Sequence, residues 1–137
     1  MSAAILLLFK ATGNPTGMSK TSNTIDLLGA GIRAEELRQK AIANNVANMG
    51  TVGYRRFDVK FEQLLAKAID SKGRVDLAEI EPFLYQPRRG PVKANGNDVS
   101  LEEEVGAMVK NTLRHKAYLR ILNKKYEQIE RAISTSK

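Results

Sequence analysis

The sequence contains no cysteine and only one histidine, and these gaps exclude several classes of functional site. Without cysteine, neither a disulfide framework nor a thiolate metal site can form. The lone histidine, His115, has no second histidine to join it in a zinc site and no nucleophile spaced to join it in a catalytic triad. We therefore expect a protein that is not an enzyme, with no catalytic residues, no metal ligands and no cofactor.

A hydrophobic run long enough to span a bilayer is also missing. The apolar segment from Ala3 to Phe9 is far too short, and no basic residue precedes it as in a secretory signal. Residues 10–17 have turn and loop chemistry, and Met18 then opens a polar stretch rich in Ser and Thr. We expect residues 1–23 to be a disordered or non-native extension, with Met18 as a second candidate start.

A massed block of one charge is absent as well. The formal net charge of +7 favours association with anionic surfaces, but the basic residues are spread along the chain and interleaved with acidic ones. This pattern is weak evidence for nucleic-acid binding. A basic helical coiled-coil module that binds nucleic acid or an acidic partner stays open as the alternative hypothesis, and a steep salt dependence of DNA binding would favour it.

What the sequence does have is a long apolar stripe in its last third, over residues 99–134. Its positions recur at alternating steps of four and three, which predicts a helix that lies along another helix, although a core helix of a small bundle uses similar stripes. Such a helix would be about 50 Å long. Ser100 and Glu103 form a capping box at its start. The stripe is Leu101, Val105, Met108, Thr112, His115, Leu119, Leu122, Tyr126, Ile129 and Ile133.

A second periodic segment, residues 24–49, predicts an N-terminal helix with the same spacing. When it is laid antiparallel to the first stripe, with Met49 opposite Leu101, facing residues have numbers that sum to about 150. Two polar positions in each series then coincide, which supports this register because buried polar groups need partners. The series is Leu28, Ile32, Glu35, Gln39, Ile42, Val46 and Met49, and its two polar members meet Thr112 and His115.

Between the two helices, residues 50–98 form a central region rich in turn signals. The sequence NMGTVGY at residues 48–54 can end the first helix, because Asn and Gly accept left-handed backbone conformations. The expected elements are an extended segment at 54–61, a short helix at 62–69, and strands around 75–77 and 83–85. We predict a mainly α fold in which long N- and C-terminal helices form an antiparallel coiled coil, with an irregular centre that has room for short strands.

Two segments of the chain resemble a known family. Residues 42–56, IANNVANMGTVGYRR, resemble the ANNIANxxTPGYK signature near the N-terminus of the flagellar axial proteins, the bacterial rod, hook and hook-filament proteins. Residues 95–133 are similar to the C-terminal pattern of the proximal-rod members, with its GNxVxLExE opening and NxLRYQ step. Val52 stands where proline is usual, and Met49-Gly50 replaces the common Ala-Asp or Ala-Asn pair.

The resemblance implies a structural subunit of the flagellar basal-body rod, whose paired helices pack around the axial export channel and contribute to the drive shaft that transmits torque. It implies self-association and contact with other rod proteins of the FlgC, FlgF and FlgG types, with an FliE-type adaptor, and with the membrane ring or export gate. It also implies a rod that crosses the periplasm, and export by the flagellar type III apparatus without a cleaved signal. Neither nucleic acid nor a small-molecule substrate is expected.

Two sets of residues are therefore candidate functional sites. The resemblance assigns an assembly motif: Asn44, Asn45, Asn48, Gly53, Tyr54, Asn95, Gly96, Asn97, Val99, Glu102 and Glu104. Heptad spacing assigns a helix-packing set: Leu28, Ile32, Ile42, Val46, Leu101, Val105, Met108, Leu119, Leu122, Tyr126 and Ile129. The simpler interpretation of the Asn-rich helix end is ordinary helix termination. We expect a solvated or intersubunit face for four arginines, Arg55, Arg56, Arg88 and Arg89.

Overall fold

A computed structural model describes residues 18–68, 80–88 and 90–135 of the chain. These residues form a mainly helical fold in which two long helices pack against each other beside a small two-stranded sheet. The elements are α1 (Met18–Ala47), β1 (Asp58–Lys60), α2 (Glu62–Ala68), β2 (Phe83–Tyr85) and α3 (Leu101–Thr135). Within these residues, no helix is both long and apolar enough to cross a membrane.

The two long helices are antiparallel, and their register is the predicted one. The Asn111 side-chain amide donates a hydrogen bond to Gln39 Oε1 at 2.9 Å, and these two residue numbers sum to 150. Two turns away, the Tyr118 ring lies so close to Gly31 that a Cβ on this glycine would be 2.9 Å from it. Small residues on α1 thus allow a close approach of the two helices. The expected antiparallel pairing is confirmed.

The helix ends differ from the sequence expectation at several points. Helix α1 begins at Met18, six residues before the start expected near residue 24. Residues 1–17 lie outside the described part of the chain.

The central region contains the expected short elements. Helix α2 ends at Ala68 and β2 occupies residues 83–85, whereas the strand expected at 75–77 lies outside the described residues. Strands β1 and β2 pair antiparallel, with Val59 opposite Leu84. The sheet packs against α1, where a cluster of buried side chains forms the core: Ala30, Ala34, Ala41, Val59, Phe61 and Ile80.

The face that α3 turns toward α1 is not the apolar stripe. Glu104 and Asn111 are buried, Tyr118 contacts Gly31, and each of the three lies one position before a stripe residue. The stripe itself is largely exposed, so the prediction that it packs on α1 was wrong for its exposed members: Leu101, Val105, Met108, Leu119 and Tyr126. In the same predicted set, Leu122 and Ile129 are half-buried, as are Ile32 and Val46 on α1, and Leu28 and Ile42 are buried.

Candidate assembly site

The two family motifs meet at one end of the molecule, where α1 ends and α3 begins. They form a network of polar contacts that we call the polar junction, made of Asn45, Asn48, Tyr54, Arg56, Asn97, Asp98 and Glu104. Most of its side chains are buried or half-buried. The residues that the resemblance assigned to assembly thus bind one another within a single chain.

Asn45 attaches the end of α1 to the extended segment that follows the turn. Its side-chain amide donates a hydrogen bond to the Phe57 carbonyl at 2.8 Å, and its Oδ1 accepts one from the Phe57 N–H at 2.9 Å. The Tyr54 hydroxyl donates to the same oxygen at 3.2 Å. Because Asn45 is fully buried, these bonds replace the water that its amide would otherwise need. Burial and the nearby Glu104 carboxylate raise the pKa of Tyr54.

Asn97 makes the corresponding attachment from the second motif. Its side-chain amide donates to the carbonyls of Asn48 and Thr51, at 2.9 and 2.8 Å, and so closes the turn after α1. Its Oδ1 accepts a hydrogen bond from the Val99 N–H at 2.8 Å just before α3. Since one buried side chain binds both segments, the turn and the start of α3 are held as a unit.

Two glycines allow the motif loops to touch. Gly53 and Gly96 have φ values of 71° and 81°, a left-handed conformation that side chains rarely adopt. A Cβ on Gly96 would lie 3.2 Å from the Gly53 Cα, and the Gly53 N–H donates to the Asn95 carbonyl at 2.9 Å. Of the turn residues expected to take this conformation, only Gly53 does so.

Ion pairs complete the polar junction. Arg56 binds the fully buried Glu104 at 2.9 Å, and Arg55 binds the buried Asp98 at 3.1 Å. The Arg56 backbone N–H also donates to Asp98 Oδ1 at 2.6 Å. Burial alone would lower the pKa of Arg56, but its bond to the Glu104 carboxylate more than offsets this and raises it. The expectation of a solvated or intersubunit face was therefore wrong for Arg55 and Arg56.

Several of the remaining predicted residues lie outside the polar junction. Arg88 is exposed, and Arg89 lies outside the described residues. Four residues of the assembly motif are also exposed: Asn44, Gly53, Asn95 and Glu102. At the start of α3, Ser100 Oγ accepts a long hydrogen bond of 3.5 Å from the Glu103 N–H. Ser100 Oγ also donates a hydrogen bond to Glu102 at 2.9 Å.

A second buried network was not anticipated from the sequence. Arg38, on α1, bonds to Glu35 at 2.7 Å and to Glu62 of α2 at 2.9 Å, and Arg114 of α3 approaches Glu62 at 3.2 Å. This network links the three helices. The Arg38 guanidinium can bind both Glu35 and Glu62, because its several N–H donors point in fixed directions. Nothing in the spacing of Arg38 distinguishes it from a solvated arginine.

The polar positions that supported the register lie together. A cleft between α1 and α3 is lined by Glu35, Gln39, Thr112 and His115, as expected. Its hydrogen bond, however, joins Gln39 to Asn111. Among the described residues, no group of three or more His, Asp or Glu side chains could hold a metal ion.

An exposed apolar surface runs along α3, and we call it the apolar face. Its side chains are between 37 and 64% exposed, and they are Leu101, Val105, Met108, Leu119, Tyr126 and Ile133. Near the C-terminal end of α3, Tyr126, Ile129 and Ile133 line a concave surface. Contiguous apolar surface of this kind marks an interaction site on a protein. The polar junction holds one end of this helix in place, and the face runs outward from it.

Comparisons with known proteins give one consistent family. A model described as "Flagella basal body rod protein" matches residues 27–55, which contain the end of α1 and the following turn. The chain is 27% identical to flagellar basal body rod protein FlgB of Bacillus subtilis over 129 residues, covering 88% of this chain and 100% of that protein. It is 30% identical to FlgB of Cereibacter sphaeroides over 122 residues, covering 79% and 94%.

A shorter similarity reaches another rod protein. The chain is 41% identical to flagellar basal-body rod protein FlgG of Caulobacter vibrioides over 44 residues, which is 32% of this chain and 17% of that protein. This similarity is higher in identity but much smaller in extent than those to the FlgB proteins.

Proposed function

This chain belongs to the FlgB family of flagellar basal body rod proteins and is a structural protein of that rod, and on this premise we propose that it self-assembles in the proximal rod through the apolar face of α3. The assembled subunits surround the axial export channel. They contribute to the drive shaft that transmits torque to the outer parts of the flagellum.

The observation that carries this proposal is the exposed apolar face. Along one stripe of its 35 residues, α3 presents six large apolar side chains to solvent. Burying a Leu or Ile side chain completely contributes about 1.5–3 kcal/mol, so neighbouring helices that cover this face gain substantial stabilisation. A heptad-spaced surface on a straight helix favours another helix as its cover.

The proposed surroundings follow from the family. Other rod proteins, of the FlgC, FlgF and FlgG types, are the proposed neighbours, together with an FliE-type adaptor and the membrane ring or export gate. The proposed location is the part of the rod that crosses the periplasm, reached through the flagellar type III export apparatus without signal cleavage.

A chromosomal deletion tests the function directly. We expect the deletion to abolish swimming and to remove complete basal bodies from electron micrographs. Complementation from Met1 or from Met18 then shows which start suffices. Normal swimming in the deletion strain would contradict the proposal.

A point variant tests the surface. Leu119→Asp places a charge in the centre of the apolar face, and a charge covered by a neighbouring helix has no partner there, so we expect assembly to be lost while expression persists. Val46→Asp, on the half-buried side of α1, has the same expected result. Leu113→Asp is the matched control, because Leu113 is exposed on α3 but lies outside the stripe. Equal basal-body counts in the Leu119 and Leu113 variants would remove the face from the interface.

A further inference from the structure

A basic cleft lies on the side of α3 away from the apolar face. It has a volume of about 400 Å³ and lies between the three helices and the two-stranded sheet. Five basic side chains line it, against two acidic ones, Asp58 and Glu62. The basic residues are Arg38, Arg56, Lys60, Lys110 and Arg114.

The arginines of this cleft are neutralised within the chain. Arg38 and Arg114 bind Glu62, and Arg56 binds Glu104. Lys60 and Lys110 form no ion pair with any residue that the structure describes, although the Lys60 ammonium lies 5.7 Å from the centre of the Tyr85 ring. Two ammonium groups in a concave site are therefore uncompensated.

A matching pair of carboxylates is exposed elsewhere on the same chain. Glu102 and Glu103 are adjacent in the first turn of α3, at the end of the molecule, and both are exposed. Within the described part of the chain, neither forms an ion pair within 4 Å. They cannot reach their own cleft, because Glu103 and Lys110 are seven residues apart on one helix, about 10 Å along its axis.

We propose that the basic cleft receives Glu102 and Glu103 of a second copy of this chain. The inference rests on the proposed function, and it specifies a contact between copies that is separate from the apolar face. Two ammonium groups match two adjacent carboxylates in number and sign.

This contact joins different surfaces of the two copies. When a single such contact joins two copies, one copy keeps a free cleft and the other a free pair of carboxylates, and this heterologous arrangement extends into an open assembly. For copies whose α3 helices run parallel, the contact displaces one copy by about 10 Å along the helix axis. An axial displacement repeated between subunits builds a rod.

Charge reversal tests the pairing. The cleft variant carries Lys60→Glu and Lys110→Glu, the turn variant carries Glu102→Lys and Glu103→Lys, and a fourfold variant carries all four changes. Each is expressed in the deletion strain, and basal bodies per cell are counted by electron microscopy. We expect each twofold variant to lose at least tenfold in basal-body number, and the fourfold variant to recover at least half of the wild-type number.

Matched controls separate this contact from general charge effects. Glu36→Lys with Glu81→Lys makes the same change in charge as the turn variant at exposed positions outside α3, and should retain normal counts. Circular dichroism of each purified variant checks that the fold is kept. The turn variant also loses favourable charges at a helix N-terminus, so its thermal midpoint should fall slightly, and the same fall should remain in the fourfold variant.

The outcomes distinguish this inference from the proposed function. Twofold variants that assemble like the wild type, or a fourfold variant no better than either, overturn the pairing. Loss in the cleft variant alone assigns the cleft to a different protein and also overturns it. If Leu119→Asp abolishes basal bodies in those cases, the proposed function stands without the cleft contact. If the deletion strain swims normally, the proposed function itself fails.

Discussion

The polar junction and the apolar face of α3 occupy neighbouring parts of one helix and have opposite relations to solvent. The junction carries the family motifs, and its side chains turn inward to bind one another. The face has only a heptad spacing, and its side chains turn outward. The comparison teaches that residues recognised from a family motif can serve the chain's own fold, while the surface left for partners has a far less specific sequence pattern.

Mutations in these two regions should affect different properties of the protein. Changes in the polar junction should lower the free energy of unfolding of the single chain. Changes on the apolar face should leave that quantity nearly unaltered and act on assembly. The predictions below run from the largest expected change in unfolding free energy to the smallest.

Glu104→Ala is expected to have the largest effect. It leaves the guanidinium of Arg56 without its buried partner, and removal of one member of such a pair costs about 3 kcal/mol or more. Urea unfolding followed by circular dichroism measures the loss. Glu103→Ala is the neighbouring control, with an expected change of about 0.5 kcal/mol at the exposed helix start. Similar losses in the two variants would contradict the assigned role of Glu104.

Asn45→Ala is expected to cost about 2 kcal/mol, because the Phe57 N–H and carbonyl lose their bonding partner in a part-buried site. Asn44→Ala, one residue earlier and exposed, should change the unfolding free energy by less than about 0.5 kcal/mol. Both asparagines belong to the same motif, so this pair separates the motif residues that fold the chain from those that remain available to a neighbour.

Gly31→Ala tests the close approach of α1 and α3. The added methyl would lie 2.9 Å from the Tyr118 ring, so the ring or the helices must shift, and we expect a net loss of about 1 kcal/mol after the gain in helix propensity. Gly29→Ala meets only an ordinary contact at 3.5 Å and should stabilise by up to about 1 kcal/mol. Stabilisation by both changes would show that the ring moves away without cost.

Leu119→Asp should lower the unfolding free energy of the isolated chain by about 1 kcal/mol or less, because the side chain is 38% exposed and most of the cost comes from the lower helix propensity of Asp. This small effect, set beside a loss of assembly, is the sharpest form of the contrast with Glu104→Ala. A loss of several kcal/mol in urea unfolding would mean that the face is covered within the single chain.

The smallest expected effect concerns alkaline pH. Burial, followed by the carboxylates of Glu35 and Glu62, raises the pKa of Tyr118 above its ordinary value of 10.0. Because the folded pKa is raised, this stabilising contribution is complete below about pH 10 and is lost as the pH rises through the folded pKa. Tyr118→Phe should remove part of the late tyrosinate absorbance in a spectrophotometric titration. An unchanged late phase would place Tyr118 in an ordinary environment.

The sequence predicted several particular features correctly. The polar positions of the two helical series coincide in the antiparallel alignment that places Gln39 near residue 111, and the structure has this register. The alignment was favoured because unpaired polar groups are costly between two packed helices. Gly53 was expected in a left-handed conformation and has one. The sequence did not predict that Arg38 and Arg56 bind carboxylates inside the fold. An ion pair between residues distant in sequence leaves no pattern in the residues next to either partner.

The heptad period by itself determined that the chain would have a long C-terminal helix and a partner helix running antiparallel to it. Only the tertiary structure decided which face of that helix packs against the partner helix. Glu104, Asn111 and Tyr118 precede the stripe by one residue, a rotation of about 100° around the helix axis. Arg56, Gln39 and Gly31 fix this rotation through contacts that depend on three-dimensional proximity, and no spacing along the chain records them.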